Sequence, residues 1–260
     1  MRKAKLFSKA NTKLKELRNH PELQTFLENR RKIYSFDLIS GHYCPFAEAC
    51  LSKVKQIDKR RKIVDGPKTK YRCFSASQEA LLTNVYNKRW YNFGMLRHKT
   101  TKEMVAIICG AMPHNLGIGR IHVAGDFFNR RYFEAWMEVA RLNPDRLFYA
   151  YTKSLPYWVD NMQVIPDNLI LTASYGGRCD NLIDQWSLRS AIVVYSYEQA
   201  DELGLQVDHD DSHAANPLTK YENFALMIHG IQPKGSKAAK AINQLRRNGE
   251  RFSYGKASRT

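Results

Sequence analysis

The chain has 260 residues, 43% apolar and 12% aromatic, enough for a sizeable core and too much for a disordered or fibrous chain. Its 41 Lys and Arg against 25 Asp and Glu give a net charge of +16, and apolar runs such as Met104–Cys109 fall far short of the roughly 18 residues that cross a bilayer. No apolar stretch of signal-peptide length follows the basic start, so a reducing cytoplasm is expected, with five cysteines serving as metal ligands, cluster ligands or buried thiols rather than a disulfide framework.

Residues 1–34 hold 10 basic and 3 acidic residues and read as a basic, helical N-terminal extension, with Pro21 at a helix start and Glu22 in its first turn. Residues 35–260 read as a single domain. Within it, 35–50 is a short strand entering a loop that carries Cys44 and Cys50. Residues 51–72, with 9 basic and 2 acidic residues and a Gly66-Pro67 turn, read as a basic surface insertion. Ser75–Arg97 is expected to be helical, and Thr100-Thr-Lys-Glu103 is a capping box opening a helix that runs to about Met112.

The pattern then becomes regular. Strands are expected at Arg120–Ala124, Leu147–Tyr151, Leu169–Ala173, Ala191–Tyr195 and Phe224–Ile228, with a short one at Leu205–Val207. Between them fall helices at Arg130–Arg141, Leu155–Met162 and Tyr197–Leu203, and Gly235–Arg247 follows. Strand–helix alternation with strands apolar on both faces predicts a parallel sheet covered by helices. An open doubly wound sheet and a full or partial βα barrel both satisfy it. Neither Gly-x-Gly-x-x-Gly nor a Walker-type loop is present, which removes the two commonest nucleotide-binding readings. In either architecture the functional face lies at the C-terminal ends of the strands. Those ends carry Gly125-Asp126, Thr152-Lys153, Ser174, Ser196, His209-Asp210-Asp211 and His229.

Charge is segregated. Segments 1–34, 51–72 and 231–260 together hold 27 basic and 6 acidic residues, whereas the other 174 hold 14 and 19. A slightly acidic body with three basic segments attracts polyanions by counterion release. With no sequence-specific reader motif, nucleic-acid contact through these segments is expected to be backbone-led; solvated, solubilising segments are the alternative.

Cys44, Cys50 and Cys73 precede the regular units, in loops beside polar residues, while Cys109 sits mid-helix as a buried thiol. Three thiolates suit a zinc site completed by His42 or Cys179, or a [4Fe–4S] cluster with one iron left open to a small molecule; three unrelated core cysteines are the plain alternative. Asp126 at a strand end suits a ligand ammonium or a helix N-cap. His122, in mid-strand, reads as a core histidine. His209-Asp-Asp-Ser-His213 suits a divalent metal, proton transfer or a ribose hydroxyl held by Asp210 or Asp211, and equally a polar turn. Thr152, Lys153, Ser174 and His229 are placed to line the pocket.

The ordered set Cys44-Pro-Phe-Ala-Glu-Ala-Cys50, Cys73-Phe74, Arg120-Ile-His-Val-Ala-Gly-Asp-Phe127, Phe148-Tyr-Ala-Tyr-Thr-Lys-Ser154, His209–His213 and His229-Gly-Ile-Gln-Pro-Lys-Gly-Ser236 resembles the phage gene-product-88 family over about residues 34–245. The layout of that family is similar to radical S-adenosylmethionine proteins. The resemblance implies that Cys44, Cys50 and Cys73 are cluster ligands and that Gly125-Asp126 takes the place of the Gly-Gly-Glu motif receiving the cofactor's amino group. The long basic insert between the second and third cysteines, and Asp where Glu is usual, depart from the radical-enzyme pattern.

The resulting expectation is an α/β protein, a partial (βα) TIM-like barrel with an N-terminal helical segment and a cysteine loop. It would carry a [4Fe–4S] cluster at its mouth, with S-adenosylmethionine as the further cofactor, and act in the host cytoplasm on a nucleic-acid or nucleotide substrate. Gly125, Asp126, Thr152, Lys153, Ser174, Asp210, Asp211 and His229 are its expected cofactor-binding residues, and no residue is assigned the catalytic step. The rival is a non-catalytic, nucleic-acid-binding phage accessory or virion protein with a structural cluster or zinc.

Overall fold

A computed structural model describes residues 4–58 and 60–250. Residues 1–3 and 251–260, the outer ends of two of the three basic segments, lie outside the described residues. In chain order the elements are β1 (Phe7–Lys9), α1 (Thr12–Glu16), β2 (Lys32–Phe36), β3 (Ser52–Ile57), β4 (Arg60–Asp65), α2 (Phe74–Leu81), α3 (Thr83–Leu96) and α4 (Thr101–Ala111). There follow β5 (Leu116–Ile121), α5 (Arg130–Arg141), β6 (Leu147–Thr152), α6 (Leu155–Val159), β7 (Leu169–Ser174) and α7 (Asn181–Gln185). The chain ends with β8 (Ser190–Val194), α8 (Tyr197–Glu202), α9 (Ser212–Ala215), β9 (Phe224–Met227) and α10 (Lys237–Arg247).

Seven strands form one sheet in the order β1-β2-β5-β6-β7-β8-β9. Neighbours from β2 to β9 are parallel, and β1 alone runs antiparallel, on β2. The order advances without reversing, so there is no switch point of the doubly wound kind. No ladder joins β1 to β9, so the sheet is open rather than a closed barrel. The short strand expected at Leu205–Val207 is reduced to one parallel bridge, Val207 on Ala225, at the outer edge of β9.

The two faces of the sheet are filled differently. On one, Tyr132, Phe133 and Trp136 of α5 pack with Phe36, Ile121 and Phe148, and α4 contributes Met104 and Ile108. On the other, Ile33, Ile118, Leu147, Tyr149, Ile170 and Phe224 meet Leu14, Leu17 and Leu23 from the N-terminal segment and Ala214 and Ala215 of α9. Residues 4–34 therefore contribute a strand, α1 and two 3₁₀ turns (Leu17–Asn19 and Pro21–Phe26), with Leu6, Leu14, Leu17 and Leu23 buried. No helix among the described residues is long and apolar enough to cross a membrane.

Local signals explain several boundaries. The Glu103 N–H donates to Thr100 Oγ1 at 3.3 Å while the Glu103 carboxylate accepts the Thr100 N–H at 2.9 Å, a complete capping box. Asn129 caps α5 by accepting the Tyr132 N–H at 2.9 Å. The single helix expected over Ser75–Arg97 is two, α2 and α3, separated by extended backbone at Leu82. The basic insertion is an antiparallel hairpin, Ser52 paired with Asp65 through to Ile57 with Arg60.

Gly117 in β5 shows how tightly the N-terminal segment is applied: a Cβ there would overlap the Phe26 carbonyl. Backbone cannot yield as a flexible side chain can, so Gly117→Ala is expected to destabilise the fold by about 1–3 kcal/mol or more, measured as a lowered midpoint of urea unfolding.

Candidate cofactor cavity

A cavity of about 640 Å³ opens at the C-terminal ends of the parallel strands. Cys44, Cys50, Cys73, Gly125, Asp126, Thr152, Lys153, Ser174, Asp211 and His229 all line it. Of the residues singled out from sequence as ligand or metal contacts, His42, Cys179, His209, Asp210 and His213 do not.

The cysteine wall is built by loops pinned at several points. Glu79 of α2, fully buried, accepts the Ser40 N–H at 3.1 Å and the Ser40 hydroxyl at 2.8 Å, and Arg89 of α3 neutralises it at 2.9 Å. Gly41 follows at φ +68°, and a Cβ there would overlap the Ser52 carbonyl, so only glycine fits. Its N–H donates to Cys44 Sγ at 3.3 Å. Further on, the Glu48 and Ala49 N–H groups donate to the Gly176 carbonyl at 3.2 and 2.8 Å, docking the loop against the turn after β7. Asp180 holds that turn by accepting the Gly176 and Gly177 N–H groups at 2.7 and 2.8 Å. Cys73 is the N-cap of α2, with the Ser75 and Ala76 amides favouring its thiolate.

The three thiols sense one another. Burial pushes Cys44 well above the usual thiol range, the Asp126 charge pushes it further, the Gly41 N–H opposes this, and Cys73 and Cys50 add to the rise. Burial and then the Cys50 charge raise Cys73 to about 11. The Cys44 and Cys73 thiolates are thus unfavourable without a cation beside them. Among the described residues, no three His, Cys, Asp or Glu side chains are grouped as ligands of one metal ion.

Opposite the thiols, Asp126 is buried at the end of the strand region after β5. One of its oxygens accepts the Thr152 hydroxyl at 2.6 Å and the Phe127 N–H at 2.7 Å, and the other accepts the Lys153 N–H at 2.9 Å. Burial raises its pKa against these hydrogen bonds. Lys153 directs its ammonium to the Ser174 carbonyl (2.8 Å), the Ser174 hydroxyl (2.7 Å) and the Tyr175 carbonyl (2.6 Å), tying the ends of β6 and β7 together. His122, at φ +65°, donates to or accepts from Tyr132 Oη at 3.0 Å through Nε2; burial and the Arg120 charge lower it to about 3, leaving it neutral. His229 packs on Phe74 and is also lowered by burial.

Asp211 reaches the inner end of the cavity, where Lys13 and Arg120 both pair with it. The Tyr149 and Tyr151 hydroxyls donate to it at 3.0 and 3.2 Å. Burial alone would raise its carboxyl; Arg120 and Lys13 outweigh that and hold it low.

The His209–His213 run does not act as a unit. His209 meets Tyr197 Oη at 3.1 Å, Asp210 meets His20 at 2.8 Å, and His213 meets Gln206 at 3.1 Å, so Asp211 alone enters the cavity. Asp210 is therefore corrected from a ligand contact to a partner of the N-terminal segment: adjacent residues in a turn point apart. Cys179 and Cys109 do not line the cavity. The residues missed from sequence are Lys13, Arg120, Tyr151, Glu79 and Gln232. Of these, Arg120 carried a signal: a cation inside an otherwise apolar strand demands a buried carboxylate. Gln232 bridges the two rims, accepting the Arg72 N–H at 2.7 Å and donating to the Arg72 and His229 carbonyls at 3.0 and 2.9 Å.

Two predictions follow from this geometry. Asp211→Asn leaves Lys13 and Arg120 without their buried counter-charge and should cost about 3–5 kcal/mol, read by chemical denaturation. At Asp210, burial is outweighed by hydrogen bonds from Ser212 and His20, which lower its carboxyl to about 2. Its stabilisation is therefore full above about pH 4 and disappears as pH falls through about 2. Melting curves of the parent chain and Asp210→Asn should differ at pH 6 and converge near pH 2.

Comparison with known proteins bears on the same span of chain. The "Gene 88 protein" of Mycobacterium phage L5 is 27% identical over 122 residues, which are 44% of this chain and 44% of that protein, so the aligned stretch spans less than half of the relative. No solved structure matches the chain. The profile of the family described as "Gene product 88" matches residues 5–248, which takes in the whole sheet, the cysteine loops and the cavity: the chain belongs to the gene product 88 family of phage proteins.

Proposed function

We propose that this is an iron–sulfur enzyme of radical S-adenosylmethionine type, acting on a nucleic-acid or nucleotide substrate. The observation that carries the reading is the convergence of Cys44, Cys50 and Cys73, from loops 29 residues apart at the extremes, on one cavity wall facing Asp126. The open, unidirectional sheet is read as a partial βα barrel with this cavity at its mouth.

The donor set fits a cluster better than one zinc ion. Zinc, which closes its structural sites with four ligands, would need a fourth donor beside the three thiols, and neither His42 nor Cys179 lines the cavity. A four-iron cube accepts thiolates spaced farther apart, and three of them leave one iron open. Its positive iron would offset the repulsion and burial that keep Cys44 and Cys73 protonated. The Gly41 N–H to Cys44 and the α2 N-terminus at Cys73 are the contacts that tune such a centre.

Cys44, Cys50 and Cys73 would hold the cluster, which would supply the electron for reductive cleavage of S-adenosylmethionine and so for hydrogen-atom abstraction from the substrate. The chain's own residues bind, orient and exclude water. Asp126, fixed by Thr152 and Lys153, offers a carboxylate to an ammonium group. Val193, Leu226 and Ile228 line the cavity wall and keep it dry. Neutral His122 and His229 add no charge there. The volume suits a cofactor of nucleoside size with part of a substrate beside it.

Anaerobic reconstitution with iron and sulfide should give about four irons per chain and a broad absorbance around 400 nm. Cys73→Ala should lose that colour, and reduced protein given S-adenosylmethionine should release 5′-deoxyadenosine. Colourless protein holding zinc, or full colour in Cys73→Ala, would overturn the assignment.

A further inference from the structure

The hairpin β3–β4 rises between the second and third cysteines, and the residues at its roots, Leu51, Tyr71 and Arg72, line the cavity. Its register places Lys55 directly opposite Lys62 and Ile57 opposite Arg60, with Lys53 opposite Val64. Residues two apart on a strand share a face, so Lys53, Lys55, Arg60 and Lys62 stand together on one side. That side carries no acidic residue in either strand. The other side holds Val54, which is fully buried, and Arg61, whose guanidinium donates to the Ala80 carbonyl at 3.2 Å and Thr83 Oγ1 at 2.8 Å against α2 and α3.

Like charges directly opposite on a hairpin are destabilising. The fold keeps the Lys55–Lys62 pair where one acidic residue would relieve it. An aromatic ledge adjoins these cations. The His42 ring, whose Nε2 meets the Val54 carbonyl at 2.7 Å, lies 5.0 Å from Trp90; Trp90 lies 6.1 Å from Tyr43. Tyr43 stacks on Phe93 at 3.8 Å yet stays 37% exposed. The hydrogen bond from His42 to Val54, the residue between Lys53 and Lys55 on β3, ties the ledge to the hairpin. Arg61 lies 5.5 Å over Tyr86, the next ring along α3.

We infer that the cationic face of the hairpin and the Tyr43–Trp90 ledge form a docking surface for single-stranded nucleic acid, leading one nucleotide of the strand toward the cavity mouth. A row of cations tracks phosphates, and an exposed ring offers a stacking platform to an unpaired base but not to a base inside a duplex. The inference rests on the nucleic-acid part of the function proposed above and not on the cluster.

The test is fluorescence anisotropy of the full chain with a labelled 20-nucleotide oligothymidylate, against an unlabelled duplex of equal length and a polyglutamate peptide as competitors. Lys55→Glu/Lys62→Glu should weaken binding at least tenfold and lower the salt slope by about 1.4, from roughly 0.7 per phosphate contact on single strands. Lys62→Glu alone should weaken binding while its melting temperature stays equal or rises, because an opposite-charge pair replaces a like-charge one. A misfolded variant cannot give that combination. Tyr43→Ala should weaken oligothymidylate binding at least fivefold and leave duplex binding unchanged. Parent chain prepared without iron and sulfide should bind as reconstituted parent chain does, so failure of the cluster reading and failure of this one are separable. The inference is overturned if Lys55→Glu/Lys62→Glu binds within twofold of the parent, if polyglutamate displaces the oligonucleotide as well as unlabelled oligothymidylate does, or if duplex competes better than single strand and Tyr43→Ala has no effect.

Discussion

The arrangement depends on one buried carboxylate. Asp211 has no exposed side-chain surface, and Lys13, Arg120, Tyr149 and Tyr151 converge on it from α1, β5 and β6. Each cation would be costly to bury alone, and the carboxylate would be costly without them. Satisfied together, they let the N-terminal segment lie with α9 across the face of the sheet opposite α4 and α5. The cavity has an inner end because that segment is held there. Without the pairing, the inner end of the cavity would lose the segment that closes it.

The thiol wall follows a different logic. Asp211 is stabilised in its charged form by contacts already present, whereas Cys44 and Cys73 are held in the neutral form by burial and by neighbouring negative charge. The two ends of one cavity are thus prepared in opposite senses: the inner end is electrostatically complete, and the mouth is poised to release protons when a cation is taken up. That contrast is why the proposed cofactor is placed at the mouth rather than beside the buried ion cluster.

Much of this was legible in the chain. Periodicity and caps located α5, α4 and the strands β6 to β9, because those signals are local: the apolar face of Arg130–Arg141, Thr100 with Glu103, apolar runs of strand length; β5, expected at Arg120–Ala124, lies at Leu116–Ile121, and β2 begins inside the segment read as helical. Strand ends pointed to Asp126, Thr152, Lys153, Ser174, Asp211 and His229, because in parallel sheets that edge is where polar side chains collect. What stayed hidden was long-range. Lys13 meets Asp211 across 198 residues, and nothing distinguishes it from the other basic residues of its segment. The His209–His213 cluster looked like one site because sequence proximity cannot show that its side chains diverge. The hairpin was obscured because its alternation is of lysine with Val54 rather than of polar with a long apolar series. The break at Leu82 has no Gly or Pro to announce it.

The three-residue strand β1 has a consequence for assembly. A row of parallel strands ends in unpaired amides and carbonyls that can recruit another chain. Here the β2 edge is closed by an antiparallel strand from the same molecule, too short to serve as a template, and the β9 edge receives the Gln206 carbonyl and Asp208 amide on either side of the Val207 bridge. Among the described residues the margins of the seven-stranded sheet are thus a three-residue strand and a bridged loop, which leaves little edge for sheet extension.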